Sequence, residues 1–154
     1  AQFDYASIIQ DMPAYKTAQT ELQSMQDKFK KDLEDMQKEL QTKYEKFQQE
    51  VNDKTPENIR SRRQQELAEL SQKLDQARAD DEKALQEASS QKMQPIITKV
   101  MDAINAVAKE GNYVYIMDSN AAQSAGIFIN PALSENVTAK IRTKLGLSAS
   151  SAKK

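Results

Sequence analysis

Cysteine, histidine and tryptophan are absent from this 154-residue chain, which holds only three glycines and four prolines. The missing cysteines suit an oxidising compartment without establishing one. With neither Cys nor His, acid and base work would fall to Asp, Glu, Lys or Tyr, and no pair of these is expected in a sheet-and-loop setting that would perturb its pKa. No glycine-rich loop leads to a Lys-Ser or Lys-Thr pair for a nucleotide. The expectation is a chain that is not an enzyme, holds no metal and takes no cofactor. An excess of one charge is missing too: 22 basic residues face 23 acidic ones, a formal net charge of −1. Nothing in that balance draws in nucleic acid or an acidic membrane. No apolar run is long enough to cross a bilayer, so no transmembrane segment is expected. The opening Ala1-Gln2 is compatible with a cleaved signal peptide and equally with a fragment boundary.

What the chain does hold in quantity is Gln, Lys, Glu, Asp and Ala, the composition of long surface helices and not of a thick core. Tyr15, Ala18, Leu22, Met25, Phe29, Leu33, Met36, Leu40, Tyr44, Phe47 and Val51 recur in steps of three and four. That is the ~3.6-residue helical period. The same residues pair at eleven apart, a repeat of ~3.67 residues per turn, which predicts a nearly straight rod and no leucine zipper. At Asn52-Asp53-Lys54-Thr55-Pro56-Glu57 the pattern breaks. Pro56 suits a first helical position, Thr55 a cap and Glu57 the positive helix end. A second helix follows with Ile59, Leu67, Leu70, Leu74, Ala77, Leu85 and Ala88, then Ile96, Val100, Ile104 and Val107. So tight a hinge predicts antiparallel arms, about 60 and 80 Å long at ~1.5 Å per residue. Pro95, inside the second stripe, predicts a kink near Gln91 and a hinge that lets the arm bend.

Outside residues 14–109 little remains. Phe3-Asp4-Tyr5 reads as the end of a strand, and Ile8, Ile9 and Met12 form an apolar patch that must dock on something later in the chain. Gly111 is expected to end the second helix in the left-handed conformation. Tyr113-Val114-Tyr115-Ile116-Met117 reads as a strand covered on both faces, Asp118-Ser119-Asn120 as a turn and Gly126-Ile127-Phe128-Ile129 as a second strand. A short helix follows with Ser134 or Thr138 as cap, Ile141 and Leu145 inward and Gly146 at its close. Two or three short strands cannot satisfy their edges alone, so the body should oligomerise through Tyr113, Val114, Tyr115, Ile116, Ile127, Phe128 and Ile129. The fold class expected is mostly α with a small β body. Residues 1–13 and 110–147 form that short-stranded oligomerisation body, 14–109 a long antiparallel helical hairpin with its tip near 52–57, and 148–154 a loose tail.

Two residue sets invite a functional reading. Met25, Phe29, Met36, Tyr44 and Phe47 offer an adaptable surface for unfolded clients, since Met repacks around varied shapes. Against this stands the need of the hairpin for its one apolar stripe, which those residues also supply. Client contacts should then be shallow, many and weak, with strength from several arms acting together. At the tip, Lys54, Arg60, Arg62 and Arg63 could steer toward an anionic membrane surface or client in a transient contact. Asp53 and Glu57 lie among them, and such clusters also serve solubility alone.

Met12-Pro13-Ala14-Tyr15-Lys16-Thr17-Ala18-Gln19 at the head of the first arm resembles the Skp/OmpH family of periplasmic chaperones. Val107-Ala108-Lys109-Glu110-Gly111-Asn112-Tyr113-Val114-Tyr115-Ile116-Met117-Asp118 and Asn136-Val137-Thr138 resemble it too, in the same order. The resemblance implies a periplasmic homotrimer with a shared barrel-like body and three coiled-coil tentacles around a cavity. Unfolded outer-membrane proteins are held there without ATP. The chain departs from the strongly basic members of that family in its net charge. An ATP-independent holdase for outer-membrane protein biogenesis is therefore the leading expectation. A structural adaptor or spacer, binding one folded partner by helix pairing, is its rival.

Overall fold

The computed structural model describes residues 1–148, so most of the expected 148–154 tail lies outside the described residues. Its elements are β1 (Gln2–Phe3), α1 (Tyr5–Asp11), α2 (Pro13–Glu50), α3 (Glu57–Gly111), β2 (Met117–Asp118), α4 (Ser119–Ser124) and α5 (Thr138–Lys144). The fold is mostly α with a small β body and long helical arms, as the composition and the stripes required. Two compact units share it: Ala1–Thr20 with Ser89 onward, and Glu21–Ala88. Helices α2 and α3 each contribute to both.

The first unit has the only extended core among the described residues. Helix α1 starts where the Asp4 carboxylate accepts from Ser7 N at 3.0 Å, a side-chain cap for an orphan amide. That cap overrides the strand reading at Tyr5. Ile8, Ile9 and Met12 then meet Ile96, Val100, Ala103, Ile104 and Val107, which recur at helical spacing along one face of α3. Phe3, Ala18, Val137 and Ile141 close the cluster. The docking partner that the N-terminal patch required is thus the second half of α3, together with α5. Each large side chain fully buried there contributes roughly 1.5–3 kcal/mol.

Strand β1 pairs in parallel with β2, Gln2 opposite Met117 and Phe3 opposite Asp118. On its other edge Gln2 bridges to Asn136, with Gln2 N donating to Glu135 O and Val137 N to Gln2 O, both at 2.8 Å. The N-terminal residues therefore thread between two later segments.

Several expectations are corrected here. The run Tyr113–Met117 is strand only at its end, and Val114 and Tyr115 are 84% and 70% exposed where two-sided burial was expected. Asp118-Ser119-Asn120 is no turn: the Asp118 carboxylate caps α4 by accepting from Ala121 N at 2.9 Å. Gly126 (φ +72°) ends α4, with Ile127 N donating back to Ala122 O at 2.8 Å. That helix terminus consumes the hydrogen bonds a strand at 126–129 would have needed.

Helix α3 also ends differently. Asn112 (φ +51°), not Gly111, takes the left-handed position. Tyr113 N donates to Ala108 O at 3.0 Å and Asn112 N to Lys109 O at 3.4 Å, closing the last turn. Gly111 serves another need: a β-carbon there would lie 2.1 Å from Tyr113 Cε2, so only glycine lets the ring lie against the helix end. Neither Ser134 nor Thr138 caps α5. Val137 holds the cap position, Asn136 Oδ1 accepts from Thr138 N, and the Thr138 hydroxyl accepts from Asp4 N, both at 3.0 Å. Ile141 is fully buried and Gly146 follows the helix, as read from the sequence.

The second unit is a two-helix hairpin. Leu22, Met25, Phe29, Leu33, Met36, Leu40 and Phe47 on α2 and Val51 just after it are half-buried, as are Leu67, Leu70, Ala77, Leu85 and Ala88 on α3; Leu74 alone is buried. Two helices can cover only one side of each stripe, which is why the seam stays half open.

Candidate functional site

Three regions carry the residues that the sequence singled out. The first is the hairpin seam. Met25, Phe29, Met36 and Phe47 are half-buried in it, whereas Tyr44 is 51% exposed. The seam thus uses four of the five candidates and leaves one ring in solvent. Gln23–Asp27, Gln41–Glu45 and the ion pairs Lys30–Glu34 and Lys83–Glu87 line the outer faces at i,i+4 spacing. Exposed as they are, such pairs add little, a few tenths of a kcal/mol each.

The second region is the hairpin end. Asn52 organises the turn: its side-chain oxygen accepts from Lys54 N, and its carbonyl accepts from Thr55 N, all at 2.9 Å. The Thr55 hydroxyl accepts backward from Asn52 N at 2.9 Å and does not cap α3. Pro56 stands just before the assigned start of α3, its carbonyl accepting from Arg60 N at 3.1 Å. The four expected cations do not form one patch. Arg60 is half-buried, with Nη2 donating to Asn52 O at 3.0 Å just beyond the end of α2 and Nε left without an acceptor. A cation there meets the negative end of the helix. Arg63 pairs with Glu66 at 3.2 Å, and Lys54 and Arg62 are exposed. One role is therefore structural, and one cation is already neutralised.

Beside the turn lies a cavity of about 270 Å³ between α2 and α3, floored by Phe47, Val51 and Leu67. Lys43, Lys46, Glu50, Arg63 and Glu66 form its rim. Sequence reasoning placed Phe47 and Arg63 in separate groups, and only the antiparallel register brings them together.

The third region is the apolar surface of the first unit. Phe128 and Leu133 are each 86% exposed, joining Val114 and Tyr115; Ile127 is 46% exposed. Tyr113 and Ile116 pack on the core instead, and Ile129 is half-buried. The Tyr113 hydroxyl donates to Glu135 and accepts from Lys140 Nζ at 3.0 Å, while Lys140 Nζ donates to Glu135 Oε1 at 2.6 Å. Hydrogen bonds from Lys140 and then Tyr113 hold the Glu135 carboxyl below the usual carboxylate range. The Glu135 contact likewise pushes the Lys140 ammonium up. Burial, the Asp118 charge and Tyr15 raise the Tyr5 phenol.

Arg142 is a buried cation that no pattern in the sequence singled out. It is 2% exposed, with Nε donating to Ser148 O (2.6 Å), Nη1 to Ser7 O (3.1 Å) and Nη2 to Asp11 Oδ2 (2.8 Å). Its place beside the inward-facing Ile141 on a short helix was the available signal. Pro95 lies inside α3, which remains helical on both sides of it.

Among the described residues no cluster of His, Cys, Asp and Glu could hold a metal, and no helix is long and apolar enough to cross a membrane. A family model described as "Outer membrane protein (OmpH-like)" matches residues 1–145. No curated protein matches the chain. With the match running through both units, the chain belongs to the OmpH-like family, that of the Skp/OmpH periplasmic chaperones.

Proposed function

We propose that this OmpH-like chain is an ATP-independent holdase acting in the periplasm, where it encloses unfolded outer-membrane proteins between helical arms and keeps them from aggregating. It works as a homotrimer and by binding alone, without catalysis. The observation that carries the reading is the family match over residues 1–145, which takes in the hairpin as well as the body. Three features support it. The first unit leaves the large apolar side chains Val114, Tyr115, Phe128 and Leu133 in solvent, and exposed apolar surface of that kind marks an interaction site where it gathers into a patch. Packing of Val114, Tyr115, Ile127 and Phe128 against other copies would bury it, with Tyr113, Ile116 and Ile129 behind them. The hairpin seam is only half covered, so Met25, Phe29, Met36, Tyr44 and Phe47 can zip the helices and still present apolar edges to a client. Pro95 supplies no amide to the Gln91 carbonyl, and so gives α3 a weak point at which an arm can bend.

The test is light-scattering mass, alone and after rapid dilution of an unfolded outer-membrane β-barrel protein into the sample. A mass of about three chains that rises by one client and stays soluble is the expected result. A monomer or dimer that leaves the client to precipitate would overturn the reading and put a single-partner adaptor in its place.

A further inference from the structure

We infer that the cavity at the hairpin end is a receptor for one neutral aromatic side chain of a non-native polypeptide; the inference rests on the holdase reading and names a binding determinant for it. Size comes first. A cavity of roughly 150 Å³ lined by apolar side chains holds benzene, and this one has about 270 Å³ with Phe47, Val51 and Leu67 as its floor. It takes a phenyl or phenol ring with room to vary the approach. It is also wider than a single methyl group needs, so small aliphatic side chains would leave it partly empty and forfeit contact.

Charge selects next. Lys43 is drawn outward to Glu39 at 3.4 Å, Arg63 is paired with Glu66 at 3.2 Å, and Lys46 and Glu50 share the rim one turn apart on α2. The rim's three cations face two carboxylates, and Glu39, paired with Lys43 outside the lining, brings the local sum to zero, so the site neither attracts nor repels an ion strongly. An anionic headgroup gains little there, and a neutral guest pays least to enter. Among neutral guests the three cationic edges favour a ring, because the face of an aromatic π-system attracts cations. Tyr44, exposed and three residues before Phe47 on α2, extends aromatic surface beside the same stretch of helix.

The test uses the intact protein with methyl-labelled Leu and Val, titrated with N-acetyl-phenylalaninamide or N-acetyl-leucinamide. Leu67 and Val51 methyl signals should shift and saturate, with Leu22 and Leu33 unmoved and the phenylalanine probe binding about two- to fivefold tighter. The double variant Lys46→Gln with Arg63→Gln changes only rim residues, leaves Lys43 as the one remaining cationic edge, and should narrow the gap between the two probes. Three results would each overturn the inference: no shift at Leu67 and Val51, shifts spread along the whole seam, or no preference between the probes. So would phosphatidylglycerol vesicles that move those methyls while the phenylalanine probe does not, since the cavity would then be a lipid contact. Aggregation suppression measured on the same samples separates the two claims. If it persists while the cavity is silent, only this inference fails; if it is absent while the cavity binds the probe, the holdase reading fails.

Discussion

Replacing Arg142 by Met should destabilise the chain by about 2–4 kcal/mol. Met keeps much of the volume but none of the donors, and three acceptors lose a partner: Ser148 O, Ser7 O and Asp11 Oδ2. Breaking a buried ion pair from one side costs roughly 3–5 kcal/mol when the orphaned charge stays buried. Here Asp11 keeps 29% of its side chain exposed, so water can recover part of that loss. Ser7, half-buried itself, also loses the acceptor contact of its carbonyl. Asp11→Asn should cost about 1 kcal/mol, because an amide oxygen still accepts from Nη2. Urea titrations of the parent, the two single variants and the double variant would give the coupling energy directly. They should be run at one protein concentration and repeated in about 1 M salt, where the screening length falls to ~3 Å. The coupling should survive that salt, since the guanidinium is out of reach of mobile ions. A loss below about 1 kcal/mol for Arg142→Met, or a coupling that salt abolishes, would show the contact to be an ordinary surface pair. The reasoning from burial would then be wrong.

Gly111→Ala places a β-carbon 2.1 Å from the Tyr113 ring, and should cost about 1–3 kcal/mol by overpacking. Adding Tyr113→Ala should recover most of it, and failure to recover would mean the glycine is needed for its backbone instead. The Glu135–Lys140–Tyr113 cluster gives a signed pH dependence. Glu135 lies below its ordinary 4.5, so its contribution is present above that pH and fades as the solution is acidified through the lowered value. Lys140 lies above its ordinary 10.5, so its contribution is complete below that pH and is lost only in stronger base. Glu135→Gln should therefore flatten the acid limb seen at the Tyr113 ring signals by NMR, and an unchanged limb would remove Glu135 as its source. Phe128→Ser with Val114→Ser touches two side chains that are 86% and 84% exposed. On the proposed assembly it should lower the light-scattering mass to a single chain while helical circular dichroism holds within about a tenth; an unchanged mass would move the interface elsewhere.

The hairpin was legible because periodicity reports one local fact repeated many times. Each apolar residue from Leu22 to Phe47 votes for the same helix face, and no single exception outweighs the rest. The body was misread because it is built from single interactions. Tyr113–Met117 has the composition of a buried strand, yet only Met117 enters the ladder, because β1 offers just Gln2 and Phe3 to pair with. Ser119–Ser124 carries no long stripe, and its helix depends on one cap at Asp118. Gly111 was rightly marked as special for the wrong reason: a ring lying against it decides the residue, and that contact involves no local pattern. The cavity beside the hairpin turn was invisible for a related cause. Phe47 and Arg63 are sixteen positions apart, and neither helix alone says which residues the turn will set side by side.

The thinness of the hairpin is what connects its stability to the proposed activity. A residue in the first unit can be wrapped by α1, α3, α5 and β1 at once, and twelve buried side chains form one apolar cluster there among the described residues. A residue in the seam has one facing helix, and between Glu21 and Ala88 only Leu74 is buried. The remaining stripe keeps apolar edge in water, a standing cost that a client chain can relieve by lying along the seam. Each contact so made removes little area, and at roughly 25 cal/mol per Å² it contributes little by itself. Binding strength on the holdase reading must therefore come from many such contacts made by several arms at once. That arrangement grips chains of unrelated sequence and releases them without ATP, because no single contact holds. The cavity over Phe47 and Leu67 offers a single side chain more contact than the open seam does, and so is a place where such a surface can acquire a preference.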